Sequence, residues 1–122
     1  MARILVADDN LDMLELHRLV LEAKGHQVEL AEGPRAALRR LELDGADLII
    51  MDLTFLNAAG DPDAREGLAL IRGIARRAPV IVLSGWPEEI YGRPEEGMVS
   101  RVMAKPVRPG ELLEAVAELT VA

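Results

Sequence analysis

A doubly wound α/β fold, with one five-stranded parallel sheet and helices on both faces, is what this sequence predicts, on three observations. Short apolar runs alternate with amphipathic stretches along the chain, as in successive βα units. Four runs, Ile4–Ala7, Leu48–Met51, Val80–Leu83 and Val102–Ala104, are continuously apolar, as strands buried on both faces are. Each leads into residues able to do chemistry: Asp8-Asp9, Asp52, Ser84 and Lys105-Pro106. Open parallel sheets place their sites just beyond the carboxyl ends of the strands. Three carboxylates, a hydroxyl and an ammonium therefore gather at one edge.

The remaining elements follow in order. Asn10 is placed to cap a first helix, with Leu11, Leu14, Leu19, Val20 and Leu21 on its apolar side and Gly25 as its stop. His17 and His26 read as solvent-facing. Val28–Ala31 is a second, weaker strand, and Gly33-Pro34 opens a second helix toward Leu43. Asp44-Gly45 is a turn before a third strand over Ala46–Asp52. Asp61-Pro62 predicts a cap and first position for a helix running to about Arg77, because proline at a helix start has no N–H to lose. Pro87 and Pro109 look similar, each with Glu in the first turn, where the helix dipole favours it. Gly92, Pro94 and Gly97 predict a short or broken helix within Gly85–Ser100. The last helix, Pro109 to Thr120, carries Leu112, Leu113, Val116 and Leu119 at helical spacing. Residues 53–63 are the longest stretch without periodicity, and such loops tend to be functional.

Bulk properties narrow the function. A chain of 122 residues reads as a single domain, 1–122. It has no cysteine, so disulfides and thiolate metal sites are excluded. A net charge of −7 argues against direct nucleic-acid binding. No apolar stretch approaches the ~18 residues that span a bilayer, and the first apolar run is too short for a signal peptide. A cytoplasmic protein with no membrane association is the expectation. With one Phe, one Tyr and one Trp, the core must be aliphatic.

Strand order 2-1-3-4-5, the flavodoxin-like arrangement, puts strands 1 and 3 side by side at the switch point. Asp8, Asp9 and Asp52 then meet in the crevice and repel one another unless a cation intervenes. Mg²⁺ fits, since it takes one or two carboxylates and keeps several waters. The competing structural role for Asp8-Asp9 is capping of the first helix.

These four motifs, in this order and each ending an apolar run, resemble the response-regulator receiver domain of bacterial two-component signalling, and the resemblance covers essentially the whole chain. It implies that Asp52 is the phosphoacceptor, taking a phosphoryl group from a sensor histidine kinase or phosphotransfer protein. It implies Mg²⁺ held by Asp9, by Asp8 mainly through water, by Asp52 and by the Thr54 backbone carbonyl. Lys105 would pair with a phosphoryl oxygen and Ser84 would donate its hydroxyl to another. Pro106 marks a candidate cis peptide that holds the lysine over the site. The domain is not itself an enzyme, and output goes to an unidentified protein partner or to an output domain outside this chain.

Two departures from the family stand out. Receiver domains usually follow the phosphoacceptor with a short loop containing Met-Pro, whereas here Leu53–Asp61 intervenes and Gly67-Leu68 lies well beyond. Asp61 and Asp63 are candidate metal ligands in this loop, with helix capping the favoured role. The family commonly places Tyr or Phe three residues before the lysine, and here that residue is Val102, with Val107 after Pro106. Thr54 and Trp86 are candidate modulators at the rim, Trp86 by restricting water. An alternative is a phosphorylation-independent interaction module. A haloacid-dehalogenase-type phosphohydrolase is disfavoured, because the second catalytic Asp of that class is replaced by Thr54.

Overall fold

The structure, a computed structural model, describes residues 1–120. Its elements are β1 (Arg3–Ala7), α1 (Leu11–Glu22), β2 (Gln27–Ala31), α2 (Pro34–Asp44), β3 (Leu48–Asp52), β4 (Phe55–Leu56), β5 (Pro62–Asp63), α3 (Arg65–Ile74), β6 (Val80–Ser84), β7 (Arg101–Ala104) and α4 (Pro109–Leu119). The main sheet is parallel throughout, in the order β2-β1-β3-β6-β7. This is the predicted five-strand order, with β4 and β5 forming a separate antiparallel pair.

Side chains alternate across the pleat, so each strand feeds two cores. Leu5, Ile49, Met51, Val80 and Val82 point to one face, where α2 and α3 cover them through Ala37, Leu41, Leu68, Ile71 and Ile74. Ile4, Val6, Leu48, Ile50, Ile81 and Leu83 point to the other, covered by α1 and α4 through Leu14, Leu21, Leu112, Ala115 and Val116. Every residue of β3 and β6 is buried, as the continuous apolar runs require.

The structure corrects the first helix. Asn10 does cap it, its Oδ1 accepting the N–H groups of Asp12 and Met13. Its buried stripe, however, is Leu14, His17 and Leu21, while Leu11, Leu16 and Leu19 are exposed. His17 is thus buried rather than solvent-facing, and its Nδ1 has no hydrogen-bond partner among the described residues. His26 is half-buried, its Nδ1 accepting the Ala2 N–H at 3.0 Å.

The third helix also starts later than Asp61-Pro62 predicts. Pro62 opens β5 instead, a place where a missing N–H is tolerated, and α3 begins at Arg65. Asp63 Oδ1 accepts the Arg65 N–H at 2.8 Å, while Ala64 is the N-cap and no side chain caps the helix, so neither Asp61 nor Asp63 takes the capping role expected of it. The region after β6 is broken as expected, into short 3₁₀ turns at Pro87–Glu89 and Pro94–Met98. The buried Glu95 pairs with Arg72 and ties the second turn to α3. Five helices were expected, and the described residues form four α-helices and these two turns.

Helix α3 approaches β3 closely at Gly67. A Cβ there would lie 1.8 Å from the Leu53 carbonyl oxygen. Gly67→Ala should therefore destabilise the fold by about 1–3 kcal/mol through overpacking, despite ~1 kcal/mol of added helix propensity. Urea unfolding checks this, and an unchanged midpoint would contradict the contact.

Burial holds the His17 pKa below its ordinary 6.5, with Lys105 adding to the effect and Asp52 opposing it. The unfolded chain then takes up a proton that the folded chain resists. The stability tied to a neutral His17 is present above pH 6.5 and is lost as pH falls through that value toward the folded one. Relative to His17→Leu, the native protein should lose stability between pH 8 and pH 5.5 in urea unfolding. Parallel losses in the two proteins would refute the assignment.

Candidate functional site

The carboxyl ends of β1, β3 and β7 meet over one cavity of about 350 Å³, lined by residues that include Asp8, Asp9, Asp52, Thr54, Trp86 and Lys105. The parallel register brings them there: Ala7 pairs with Met51, Asp52 with Leu83, and Ser84 with Ala104. Each acidic or basic residue is therefore at the end of its strand or within two residues of it.

Lys105 is the cation of this cluster. Its Nζ donates to Asp52 Oδ2 at 2.7 Å and lies 3.9 Å from Asp8 Oδ2. The Lys105–Pro106 peptide bond is cis. The other Asp52 oxygen, Oδ1, accepts from the Thr54 N–H at 3.1 Å and from Thr54 Oγ1 at 3.4 Å. Asp52 is 9% exposed and lines the cavity.

Asp8 is more deeply set. Burial pushes its carboxyl above the ordinary range, with the charges of Asp52 and Asp9 adding, while the Asn10 N–H and Lys105 oppose the rise. That N–H donates to Asp8 Oδ1 at 3.0 Å, so Asp8 also orients the entry to α1, in part the capping role weighed above. Asp9 is less buried, and its Oδ2 accepts the Leu56 N–H at 2.6 Å.

Three carboxylates facing one ammonium leave a surplus of anionic oxygen, which a hard divalent cation suits. Among the described residues, no three acidic, imidazole or thiol groups close into a metal cage.

Ser84 stands apart from this cluster. It is fully buried at the end of β6, and its Oγ accepts the Trp86 N–H at 2.9 Å. A hydroxyl that accepts this bond still has its own O–H to donate. Trp86 itself is 53% exposed at the rim. Asp61 and Asp63 belong to the β4–β5 turn: Asn57 Nδ2 donates to Asp63, and the Asp61 N–H donates to Asn57 Oδ1. Neither lines the cavity. Val102 is half-buried against the α2–α3 core.

Sequence reasoning missed five contributors. Phe55, Leu56 and Pro62 line the cavity from the hairpin, Gly85 from the end of β6, and Asn10 from the start of α1. Only Asn10 carried a signal, its position directly after Asp8-Asp9.

The sequence matches the family described as the response regulator receiver domain over residues 4–117. The sensory/regulatory protein RpfC of Xanthomonas campestris is 33% identical over 122 aligned residues, 98% of this chain and 16% of that protein. The virulence transcriptional regulatory protein PhoP of Salmonella typhimurium is 35% identical over 96 residues, 74% of this chain and 40% of that protein. This chain thus spans only a minor part of these curated relatives. Among solved structures, the response regulator TrrA of Thermotoga maritima, crystallised with Mg²⁺-BeF, superposes with a TM-score of 0.81. It is 25% identical, covering 98% of this chain and 99% of that one. The chemotaxis response regulator CheY4 of Vibrio cholerae, 22% identical, shares the fold with a TM-score of 0.78 over 98% of both chains. Among the described residues, no helix is long and apolar enough to cross a membrane. The continuous apolar strands, the acidic edge with its single ammonium and this match along the chain converge: the protein belongs to the response regulator receiver domain family.

Proposed function

We propose that residues 1–122 act as a single phospho-accepting signalling domain whose acceptor is Asp52. The observation that carries this reading is Asp52 at the end of β3, bound by Lys105 Nζ at 2.7 Å, in one cavity with Asp8 and Asp9. Receiver domains take phosphate from histidine kinases or phosphotransfer proteins. Here a carboxylate oxygen of Asp52 attacks the phosphorus of a phosphohistidine already protonated on its free ring nitrogen, the P–O bond forms as the P–N bond breaks, and the imidazole leaves neutral, keeping that proton.

Asp9, Asp52 and the Thr54 backbone carbonyl would hold Mg²⁺, with Asp8 contributing mainly through water, and the ion would supply neutralising charge for the phosphoryl oxygens. Lys105 exchanges its carboxylate partner for a phosphoryl oxygen, acting as a mobile point charge. Thr54 holds one Asp52 oxygen in place through its N–H and hydroxyl. Ser84 donates its O–H to the new phosphoryl group, and its bond from the Trp86 N–H links that event to the β6–β7 connection. Phosphorylation then changes affinity for a downstream protein, in the cytoplasm and without direct nucleic-acid or membrane contact.

A second reading, a phosphorylation-independent interaction module, is favoured by Val102, which offers no aromatic ring to rotate as a switch. It predicts partner binding that survives Asp52→Asn.

Acetyl phosphate with Mg²⁺ should add one phosphoryl mass to the native protein and none to Asp52→Asn, as read by intact-mass spectrometry. An equal mass gain in the variant, or none in either protein, would overturn the acceptor assignment. Trp86 bounds the cavity on the solvent side. Trp86→Ala should accordingly hydrolyse its acyl phosphate several-fold faster, measured as the decay of the phosphorylated mass. An unchanged decay removes Trp86 from any role in shielding.

A further inference from the structure

The segment that sets this chain apart from its family reaches into the acidic pocket by a backbone donor. β4 and β5 pair antiparallel, Phe55 with Asp63 and Leu56 with Pro62. The hairpin is fixed at both ends. At its root, Phe55 is buried in the α2–α3 core. At its turn, Asn57 Oδ1 accepts the N–H groups of Ala59 and Asp61, and the Asn57 N–H donates to the Asp61 carbonyl. Between them, the Leu56 N–H donates to Asp9 Oδ2 at 2.6 Å, across 47 positions of sequence.

We propose that this hairpin is a positioning element of the cation site. The Leu56 N–H fixes one oxygen of Asp9 and leaves the other for Mg²⁺, so that cation binding and hairpin closure reinforce each other. The inference rests on the reading of the pocket as a Mg²⁺-dependent phosphoacceptor site.

Two arrangements are conceivable for a backbone N–H on a metal-binding carboxylate, competition or support. A carboxylate offers about four lone-pair sites, so one N–H does not exhaust Asp9. Ligand carboxylates are ordinarily held by such outer hydrogen bonds, whose loss costs about 10–100-fold in metal affinity. Electrostatics point the same way. Asp9 adjoins Asp8 and shares the cavity with Asp52, and like charges drive an unrestrained carboxylate outward toward water. A donor from the hairpin offsets that repulsion and keeps Asp9 in the ligand set. Linkage makes the effect reciprocal: the factor by which closure raises cation affinity is the factor by which the cation favours closure.

The test uses the intact chain and Mg²⁺ alone, with calorimetric titration and amide hydrogen exchange at Leu56. Saturating Mg²⁺ should slow exchange of the Leu56 amide. Leu56→Pro, which deletes the donor, and Asn57→Ala, which loosens the turn without touching the cavity, should each weaken Mg²⁺ binding by about tenfold or more. Protection of the β6 amides reports that the variants remain folded. Leu56 exchange that is unchanged or faster in Mg²⁺ overturns the proposal. So does a folded Leu56→Pro with native affinity. In both cases Mg²⁺ still binds, and the phosphoacceptor reading stands. A native protein that binds no Mg²⁺ overturns both readings together.

Discussion

The contact on which the site depends is the 2.7 Å bond from Lys105 Nζ to Asp52 Oδ2. Burying a carboxylate costs several kcal/mol, and three meet at this edge. A pair of opposite charges about 4 Å apart gains on the order of 4 kcal/mol near a protein surface. One ammonium can therefore settle one carboxylate, not three. The remaining imbalance shows at Asp8, whose carboxyl is pushed above its ordinary range even with Lys105 3.9 Å away and an N–H bound. The pocket carries unmet demand for positive charge, and that demand is the physical basis for a cation site in a protein of net charge −7.

The sheet was readable because parallel strands buried on both faces leave short, unbroken apolar runs, here too short for buried helices and each ended by a charged or hydroxyl residue. β3 and β6 are buried at every position, so their runs are unbroken by polar residues until the strand ends. The chemistry sits where the apolar run stops, which is why Asp52, Lys105 and the Asp8-Asp9 pair could be found together. Helix α1 was read less well, for a definite reason. Its leucines at 11, 14, 16, 19 and 21 occupy more than one face, so counting them does not choose the buried stripe. The stripe is set by Leu14 and Leu21, one heptad apart, and it captures His17 between them.

The hairpin was not legible at all. Strands of two residues are too short to show a period of two. The dipeptide Asp61-Pro62 is equally at home before a helix or on a strand edge, and only tertiary pairing decides between them. Asn57 organises the turn through its side chain, a role that composition does not announce. The Leu56 contact to Asp9 is made by backbone, so the identity of the side chain at 56 carries no trace of it.

How a lengthened loop can sit beside Asp52 without displacing it follows from where the chain is pinned. The Leu53 N–H donates to the Leu83 carbonyl at 3.0 Å, extending the sheet one residue past Asp52. On its other side, the Leu53 carbonyl packs against Gly67 so closely that no side chain fits there. Leu53 and Phe55 are both buried, and Ala64 closes the far end of the insertion in the same core. The extra residues are therefore confined between two anchored points, and their length is absorbed outward, at the exposed turn over residues 58–61. Asp52 takes its position from the sheet, from Lys105 and from Thr54 two residues on, all of them outside the β4–β5 hairpin. Asp9 alone among the three carboxylates accepts a hydrogen bond from the β4–β5 hairpin. The hairpin can thus tune how the pocket holds a cation while leaving Asp52 where the fold puts it.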